Sequence, residues 1–224
     1  MSKRIALTFD DVPSYTALNN NPTAVITETV REYGGKATFF VVGSALRKNG
    51  PEILYKALEY GFELANHTDT HRNLTKLTCG ETESEILKLQ DAVYRQLGVN
   101  MKYMRPPGLN ANGDVFSVTE RLGMPVIFGS RGNADLSDWN PETTPEHIKT
   151  RCLNGAYDGQ IVLMHGYSQA TASVLGEICA ELSEAGYSFV TLSELFDSHK
   201  SGKLPCDRPI YDIQSAYNEN GRED

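Results

Sequence analysis

Apolar segments of strand length alternate with amphipathic helical segments along almost the whole of this 224-residue chain. No linker-like stretch interrupts the alternation, and this arrangement is typical of parallel strands joined by helical crossovers. Strands are predicted to begin at or near Arg4, Lys36, Phe62, Lys102, Met124, Ile161 and Tyr187. The helices predicted between them span residues 22–33, 51–61, 81–97, 115–122, 144–154 and 171–185. A closed (β/α) barrel and an open doubly wound sheet would both satisfy this pattern.

Polar residues are concentrated where the predicted strands end. They are Asp10 and Asp11, residues 67–71, Arg105, residues 135–138 and His165. A barrel gathers the C-terminal ends of all its strands on one face, whereas an open sheet spreads them along a line. The distribution therefore favours an α/β barrel with about seven parallel strands.

The length of the chain fits one domain, because single α/β domains commonly reach about 200–250 residues. After Ser201 the composition becomes polar, so we predict a folded domain over residues 1–200 and a polar C-terminal tail over residues 201–224. No run approaches the ~18 consecutive apolar residues of a membrane span, and Met1 leads into the first strand without a signal-peptide core. The chain as given therefore reads as cytoplasmic, or as a secreted protein or excised domain without its leader.

The formal net charge of −8 disfavours nucleic acid and anionic membranes as partners and favours a neutral substrate. The four cysteines, Cys79, Cys152, Cys179 and Cys206, are widely scattered and form no C-x-x-C pair. They therefore provide no metal signature, and free thiols are the expected state.

Two adjacent carboxylates, Asp10 and Asp11, end the apolar run of the first predicted strand. Because successive strand residues point in different directions, the two aspartates need not do the same job. One of them could bind a metal while the other accepts a proton. The alternative is a turn at residues 11–14 in which the aspartates bond only to the backbone.

Two histidines four residues apart, His67 and His71, form the second chemical signal. Whether they share a helix face or converge from a tight loop, both can bind one cation, and ordinary loop polarity is the alternative. Together with Asp11 they make a set of two imidazoles and one carboxylate, which leaves room for water as catalytic metal sites require. We predict one divalent metal with zinc as the first choice, while cobalt, manganese or nickel could occupy the same donors.

Three further segments complete the pattern, although each has an ordinary structural explanation. Arg105 stands before two prolines on a stiff scaffold that suits it to holding a carboxylate, or it is a surface arginine. Residues 135–139 contain Asp135, Asp138 and the chain's only tryptophan, whose ordinary role is core packing. His165 ends an apolar strand, where a core histidine with satisfied hydrogen bonds is the alternative.

In their order along the chain, these segments resemble the motifs of the polysaccharide deacetylase family, also called the NodB-homology domain or carbohydrate esterase family four. The motifs are Thr8-Phe9-Asp10-Asp11, His67-x-x-x-His71, Arg105-Pro106-Pro107, Asp135-x-x-Asp138-Trp139 and Leu163-x-His165. The resemblance extends from Ile5 to about Phe196, which is nearly the whole chain. It implies a distorted (β/α) barrel and metal-dependent removal of acetyl groups from sugars.

The resemblance also implies how the polar residues divide the chemistry. The metal ligands would be Asp11, His67 and His71, and the general base would be Asp10. His165 would be the general acid that protonates the departing group. Water would be the nucleophile, so no acyl-enzyme would form.

Five further positions receive supporting roles from the same resemblance. Arg105 would orient the base, and Asp138 would pair with the acid. Trp139 and Leu163 would wall the acetyl pocket. A backbone N–H near Gly108 would stabilise the oxyanion that forms from the acetyl carbonyl.

Two departures from the family pattern affect the expected substrate. Gly108 stands where many members have tyrosine, and Val12 replaces the glycine that usually follows the paired aspartates. Variants without this tyrosine occur among the acetylxylan esterases of the family. We therefore predict N-deacetylation of N-acetylglucosamine-containing glycans, such as chitin oligomers or peptidoglycan, with O-deacetylation of xylan as the alternative.

Two more distant hypotheses are a hydrolase of small cyclic amides and a catalytically silent carbohydrate-binding protein on the same barrel. A closed metal pocket, rather than a groove, would support the first. The second would require the loss of a metal ligand, the base or the acid, and the sequence retains them all.

Overall fold

The computed structural model describes residues 3–16, 20–129, 136–197 and 203–217. Its strands are β1 (Lys3–Val12), β2 (Thr38–Val41), β3 (Glu63–Asn66), β4 (Val126–Ile127), β5 (Gln160–His165), β6 (Tyr187–Phe189) and β7 (Pro209–Ile210). Its helices are α1 (Pro22–Glu32), α2 (Gly43–Asn49), α3 (Glu52–Glu59), α4 (Cys79–Leu97), α5 (Gly113–Leu122), α6 (Pro145–Asn154), α7 (Gln169–Glu184), α8 (Leu192–Asp197) and α9 (Ile213–Tyr217). All ladders between these described strands are parallel.

Strand β1 is the centre of the sheet. It pairs with β2 through its C-terminal half, with β6 through its N-terminal half and with β5 along its other edge. The continuous order is β3-β2-β1-β5, and β4 pairs separately with β7. Ten residues of mostly apolar sequence make β1 the longest of the described strands, which is why it can support three neighbours.

Isolated bridges join the two sheets into a ring. Met104 bridges Asn66 of β3 on one side and Val126 of β4 on the other, and Asp212 bridges Gln160 of β5. The strand expected from Lys102 is reduced to the single bridge at Met104, because the prolines that follow Arg105 lack the N–H groups that a ladder needs. The predicted distorted (β/α) barrel is confirmed, and its distortion lies in these short contacts.

Side chains of β1 alternate between two apolar clusters. Ala6 packs in an inner cluster with residues of β2, β3, β4, β5 and β7, and the C-terminal helices α8 and α9 close its end. Leu7 and Phe9 pack in an outer cluster with helices α1 and α7. Because strand side chains alternate between faces, Asp10 lies on the same face of β1 as Ala6. The strand therefore presents this carboxylate at the inner mouth of the barrel.

The C-terminal segment differs from the expected polar tail over residues 201–224. Residues 203–217 fold back onto the barrel, where Ile210 is completely buried in β7 and Ile213 and Ala216 pack in the inner cluster. The average composition of these residues is polar, but it includes a few apolar residues that pack against the barrel. The predicted domain boundary at residue 200 therefore does not hold for residues 203–217, which pack as part of the barrel.

Helix α2 was not expected from the sequence, because it has only seven residues and no side chain caps its first turn. The first turn of α2 is held by the segment between His67 and His71, because the Gly43 N–H donates to the Thr68 carbonyl at 3.1 Å. None of the described helices is both long enough and apolar enough to cross a membrane.

Candidate active site

The ends of β1 and β5 set the position of the first two functional side chains. Asp10 and His165 are register partners at the C-terminal ends of these adjacent strands. The β1 ladder with β2 is irregular between Phe9 and Val12, and Asp11 takes a left-handed backbone conformation with φ 58°. This local turn lets Asp11 face the same mouth, although a regular strand would direct adjacent side chains to opposite faces.

Left-handed backbone at non-glycine residues is concentrated around this mouth. Among the described residues it occurs at Asp11, Thr68, His71, Leu109 and Ser137. Such conformations are sterically costly for side-chain-bearing residues and cluster at functional sites, where surrounding contacts maintain them. The backbone therefore marks the same loops that carry the candidate motifs.

Arg105 is completely buried behind Asp10, and among the described residues it is the largest fully buried side chain. Its Nη1 donates to Asp10 Oδ1 at 2.6 Å and to Thr8 Oγ1 at 3.0 Å. Its remaining nitrogens donate to the carbonyls of Ile127 and Phe128 at 3.1 and 3.0 Å. Burial alone would raise the pKa of Asp10, but the charge of Arg105 opposes that effect and the pKa is lowered overall. Asp10 is therefore ionised and can accept a proton.

Replacing Arg105 with alanine is expected to lower the free energy of unfolding by about 3–5 kcal/mol, because Asp10 would be left as a buried charge without its partner. Urea unfolding of the variant beside wild type measures this difference. Arg95→Ala is the matched control, since Arg95 pairs with Asp91 on an exposed face of α4. Equal stability of the Arg105 and Arg95 variants would contradict the structural importance of the buried pair.

The proposed metal ligands lie together on the other side of Asp10. The Nε2 atoms of His67 and His71 are 3.7 and 3.1 Å from Asp11 Oδ1. One donor atom from each of these three residues lies within 4.8 Å of the others. Burial raises the pKa of Asp11, and the charge of nearby Asp10 adds to this effect although His67 opposes it. A cation among these groups would offset the cost of holding two carboxylates so close.

The tautomer of His67 also suits a metal. Its Nδ1 lies 2.7 Å from the Arg105 carbonyl, which can only accept, so Nδ1 carries the hydrogen and donates it. Burial lowers the pKa of His67 despite the charges of Asp10 and Asp11, and burial also lowers the pKa of His71. Neutral imidazoles with a free Nε2 lone pair are the form that binds metal. The donor set therefore fits a divalent cation.

His165 is held by Asp138 on the opposite side of the mouth. Its Nδ1 lies 2.7 Å from Asp138 Oδ1, and its backbone N–H donates to Asp138 Oδ2 at 2.8 Å. Thr171 donates its hydroxyl to the same Oδ2 at 2.5 Å. Burial lowers the pKa of His165, but the hydrogen bond and charge of Asp138 outweigh this effect and raise the pKa to about 9. His165 is therefore protonated at neutral pH.

A pocket of about 410 Å³ lies over these groups, a size typical of small-ligand sites. It brings together most of the residues expected from the sequence. Those that line it are Asp10, Asp11, His67, His71, Gly108, Trp139, Leu163 and His165. Arg105 and Asp138 support the pocket from behind through their bonds to Asp10 and His165. Asp135 of the fourth motif lies outside the described residues.

Three residues around the pocket were not expected from the sequence. Leu109 and Tyr167 line it, and Thr171 bonds to Asp138 from the first turn of α7. Burial raises the pKa of Tyr167 to about 12, so its phenol remains protonated. An aromatic residue two positions after the strand-ending His165 was the available signal for Tyr167. Thr171 gave no signal, because a hydroxyl in a first helical turn is ordinary.

The chain is also similar to known proteins. A family model described as polysaccharide deacetylase matches residues 1–127. The chain is 39% identical over 195 residues to the peptidoglycan-N-acetylglucosamine deacetylase PgdA of Listeria monocytogenes, covering 87% of this chain and 39% of that protein. It is 34% identical over 197 residues to a bifunctional xylanase/deacetylase of Pseudobutyrivibrio xylanivorans, covering 87% of this chain and 31% of that protein. The chain therefore spans less than half the length of both relatives.

The fold of the chain is also similar to that of solved structures. The Xyl-CE4 domain of a multidomain xylanase from the hindgut metagenome of Trinervitermes trinervoides superposes with TM-score 0.85 and 29% identity, covering 96% of this chain and 99% of that chain. A family 4 acetyl xylan esterase from Clostridium thermocellum, in complex with a cobalt ion, superposes with TM-score 0.84 and 28% identity, covering 94% and 99%.

Proposed function

This chain belongs to the polysaccharide deacetylase family, and from that premise we propose that it removes acetyl groups by hydrolysis from acetylated oligo- or polysaccharides. The proposed main substrates are N-acetylglucosamine-containing glycans, such as chitin oligomers or peptidoglycan. One observation carries the proposal: a three-residue metal-binding set, an ionised aspartate and a histidine of raised pKa share one pocket. This arrangement supports attack by water with the base and the acid on separate residues.

Asp11, His67 and His71 are the proposed metal ligands, with zinc as the proposed ion and cobalt, manganese or nickel as alternatives. The ion would supply a Lewis acid that polarises the acetyl carbonyl and makes bound water more acidic. Asp10 is the proposed general base. Its Oδ1 is occupied by Arg105, while its Oδ2 lies 3.8 Å from His67 Nε2 and so faces the metal-binding set. Oδ2 is therefore the atom proposed to accept the proton of the attacking water.

His165 is the proposed general acid. Its Nδ1–H is held by Asp138, so the Nε2–H is left to protonate the departing sugar nitrogen or oxygen. The acetyl group leaves as acetate, and the sugar retains a free amine or hydroxyl. The base and the acid come from neighbouring strands, which fixes their separation before substrate binds.

The remaining pocket residues are proposed to hold the acetylated sugar. Leu163 is almost fully buried and suits the acetyl methyl group, whereas Trp139 is 54% exposed and offers a ring face to the sugar. Gly108, at φ 61°, is proposed to direct a backbone N–H at the oxyanion. Tyr167 adds a second aromatic ring, whose centroid is 5.4 Å from that of His165.

Acetylxylan esterase activity is the second candidate. Gly108 favours it, because this position lacks the tyrosine side chain that the family pattern often supplies. The similarity to the Clostridium thermocellum esterase supports it as well. The similarity to the Listeria deacetylase supports the amide substrate instead.

Parallel assays of acetate release from chitooligosaccharides and from acetylated xylan distinguish the two candidates. The proposed function is supported when kcat/KM is higher on the chitooligosaccharides. A higher value on acetylated xylan would make the chain an esterase. Activity on neither substrate nor on peptidoglycan, in protein reconstituted with zinc or cobalt, would contradict both.

Replacing Asp138 with asparagine is expected to move the alkaline limb of the kcat/KM profile to lower pH. The acid must hold its proton, so activity that depends on it is present below the pKa of His165 and is lost as the pH rises through about 9. Asparagine removes the charge that raises this pKa and roughly preserves the shape of the side chain. Paired pH–rate profiles of wild type and variant measure the shift.

An activated ester provides the control for this prediction. Its leaving group needs less protonation than an acetamide, so Asp138→Asn should reduce its hydrolysis less. Metal content, measured on both proteins, should be unchanged. An unmoved alkaline limb in a folded, metal-loaded variant would mean that Asp138 has only a structural role.

A further inference from the structure

The segment that carries both histidines, residues 67–71, connects β3 to the chain before α4 without a helix or strand of its own. Two of its residues, Thr68 and His71, have left-handed backbone with φ 70° and φ 58°. Non-glycine residues rarely adopt this conformation, so contacts from neighbouring elements must maintain it. We call residues 67–71 the histidine loop.

The two histidines are fixed to different degrees. His67 is almost fully buried, and its ring is anchored by the bond to the Arg105 carbonyl. The His71 side chain is 42% exposed, and its backbone N–H is held by Thr68 Oγ1 at 3.1 Å. The direction of the His71 ring therefore depends mainly on the backbone that precedes it.

Glu85 of α4 holds that backbone. It is only 8% exposed, and both oxygens of its carboxylate accept hydrogen bonds from Thr70. Its Oε2 accepts the Thr70 N–H at 2.8 Å, and its Oε1 accepts the Thr70 hydroxyl at 2.7 Å. The backbone carbonyl of Glu85 accepts the Asp69 N–H at 3.0 Å. One residue thus makes three hydrogen bonds to the two positions that immediately precede His71.

The start of the histidine loop is attached to the same turn of α4. Asn66 donates its side-chain amide to the Ile86 carbonyl at 3.0 Å and accepts the Thr68 N–H at 2.9 Å. On the opposite side Asp69 forms an ion pair with Arg47 of α2. The loop is therefore held by both α4 and α2, and the carboxylate of Glu85 bonds to the residue next to His71.

We propose that Glu85 is a positioning residue for the metal-binding set. It holds the histidine loop so that His71 Nε2 faces Asp11 Oδ1 before a cation arrives. Preorganised ligands lose less conformational freedom on binding, and residues that orient ligands commonly contribute about 10–100-fold to metal affinity. This inference rests on the metal dependence of the proposed function, and it adds a residue that none of the motifs contains.

Substitutions of Glu85 separate position from charge. Glu85→Ala removes both carboxylate bonds. Glu85→Gln retains an oxygen for the Thr70 N–H and offers an N–H to the Thr70 hydroxyl oxygen, so it should preserve the geometry without the charge. Thr70→Val removes only the hydroxyl bond. Glu83→Ala is the matched control, because Glu83 lies on the same helix and pairs with Arg121 at 3.0 Å.

The test is the zinc dissociation constant of the full chain, measured by competition with a chromophoric chelator after removal of metal. Glu85→Ala is expected to weaken zinc binding by about 10–100-fold, and Thr70→Val by a smaller factor. Glu85→Gln and Glu83→Ala should bind zinc as wild type does. The visible spectrum of the cobalt-loaded protein should change in Glu85→Ala and be unchanged in Glu83→Ala, which general destabilisation would not produce.

The thermal midpoints of the metal-free proteins show whether each variant is folded at the assay temperature. Should Glu85→Ala fail to fold, Thr70→Val still tests the inference, with the smaller loss of zinc affinity expected for it. Zinc binding as tight as wild type in folded Glu85→Ala and Thr70→Val would overturn the inference and leave the proposed function intact. A wild-type chain that binds neither zinc nor cobalt would contradict the proposed function as well.

Discussion

Asp10→Asn is expected to lower kcat for acetate release by about 10²–10⁴-fold while the metal remains bound, the usual contribution of a general base. The side-chain amide can still accept the hydrogen bond from Arg105, so the variant resembles wild type in shape. It has no carboxylate Oδ2 to take the proton of water. Measurements of kcat and of metal content on the same preparation test both halves of the expectation.

Asp11→Asn is the matched comparison, because the two aspartates are adjacent and the substitution is the same. The assigned roles require Asp11→Asn to lose metal affinity, whereas Asp10→Asn keeps it. Urea unfolding should accompany the kinetics, since Asp10→Asn leaves the buried Arg105 without its charge partner. Near-normal turnover in Asp10→Asn, together with retained metal and turnover in Asp11→Asn, would mean that the roles are wrongly assigned.

His71→Ala is expected to lose most metal affinity and nearly all turnover, because it removes one of three protein ligands. His71 is the best ligand to truncate, since its side chain is partly exposed and contributes little to the core. His67, by contrast, is buried and bonded to the Arg105 carbonyl, so its removal would also disturb the fold. Elemental analysis after dialysis and the rate of acetate release measure the two losses.

His147→Ala controls for the loss of any histidine, because His147 is exposed in the first turn of α6. This variant should match wild type in metal content and turnover. A fully active His71→Ala protein with wild-type metal content would remove His71 from the ligand set. Unchanged activity with no metal in any of the proteins would contradict the metal mechanism altogether.

The central strand and the polar strand ends could be predicted because their signals are local. The apolar run that ends in Asp10 and Asp11 has the length and composition of a buried strand, and β1 has this form. Closure of the barrel could not be predicted in detail. It depends on isolated bridges at Met104 and Asp212, which have no periodicity to mark them. The packing of residues 203–217 was missed for a related reason, since it depends on a few apolar side chains dispersed among polar ones.

The motif residues of the site could be predicted because their chemistry requires particular residue types. Their supporting partners could not. Thr171 reaches Asp138 from another helix, and Glu85 reaches Thr70 across the gap between α4 and the histidine loop. Both are common residues in ordinary helical positions. Only the folded arrangement reveals which backbone each one holds.

Acetate release from a chitooligosaccharide before and after metal removal tests the central claim most directly. Protein treated with a chelator and dialysed should release acetate at a small fraction of its original rate. One equivalent of zinc or cobalt per chain should restore the rate in wild type and fail to restore it in Asp10→Asn. A metal-free protein, verified by elemental analysis, that still releases acetate at the full rate would contradict the claim that this chain is a metal-dependent deacetylase.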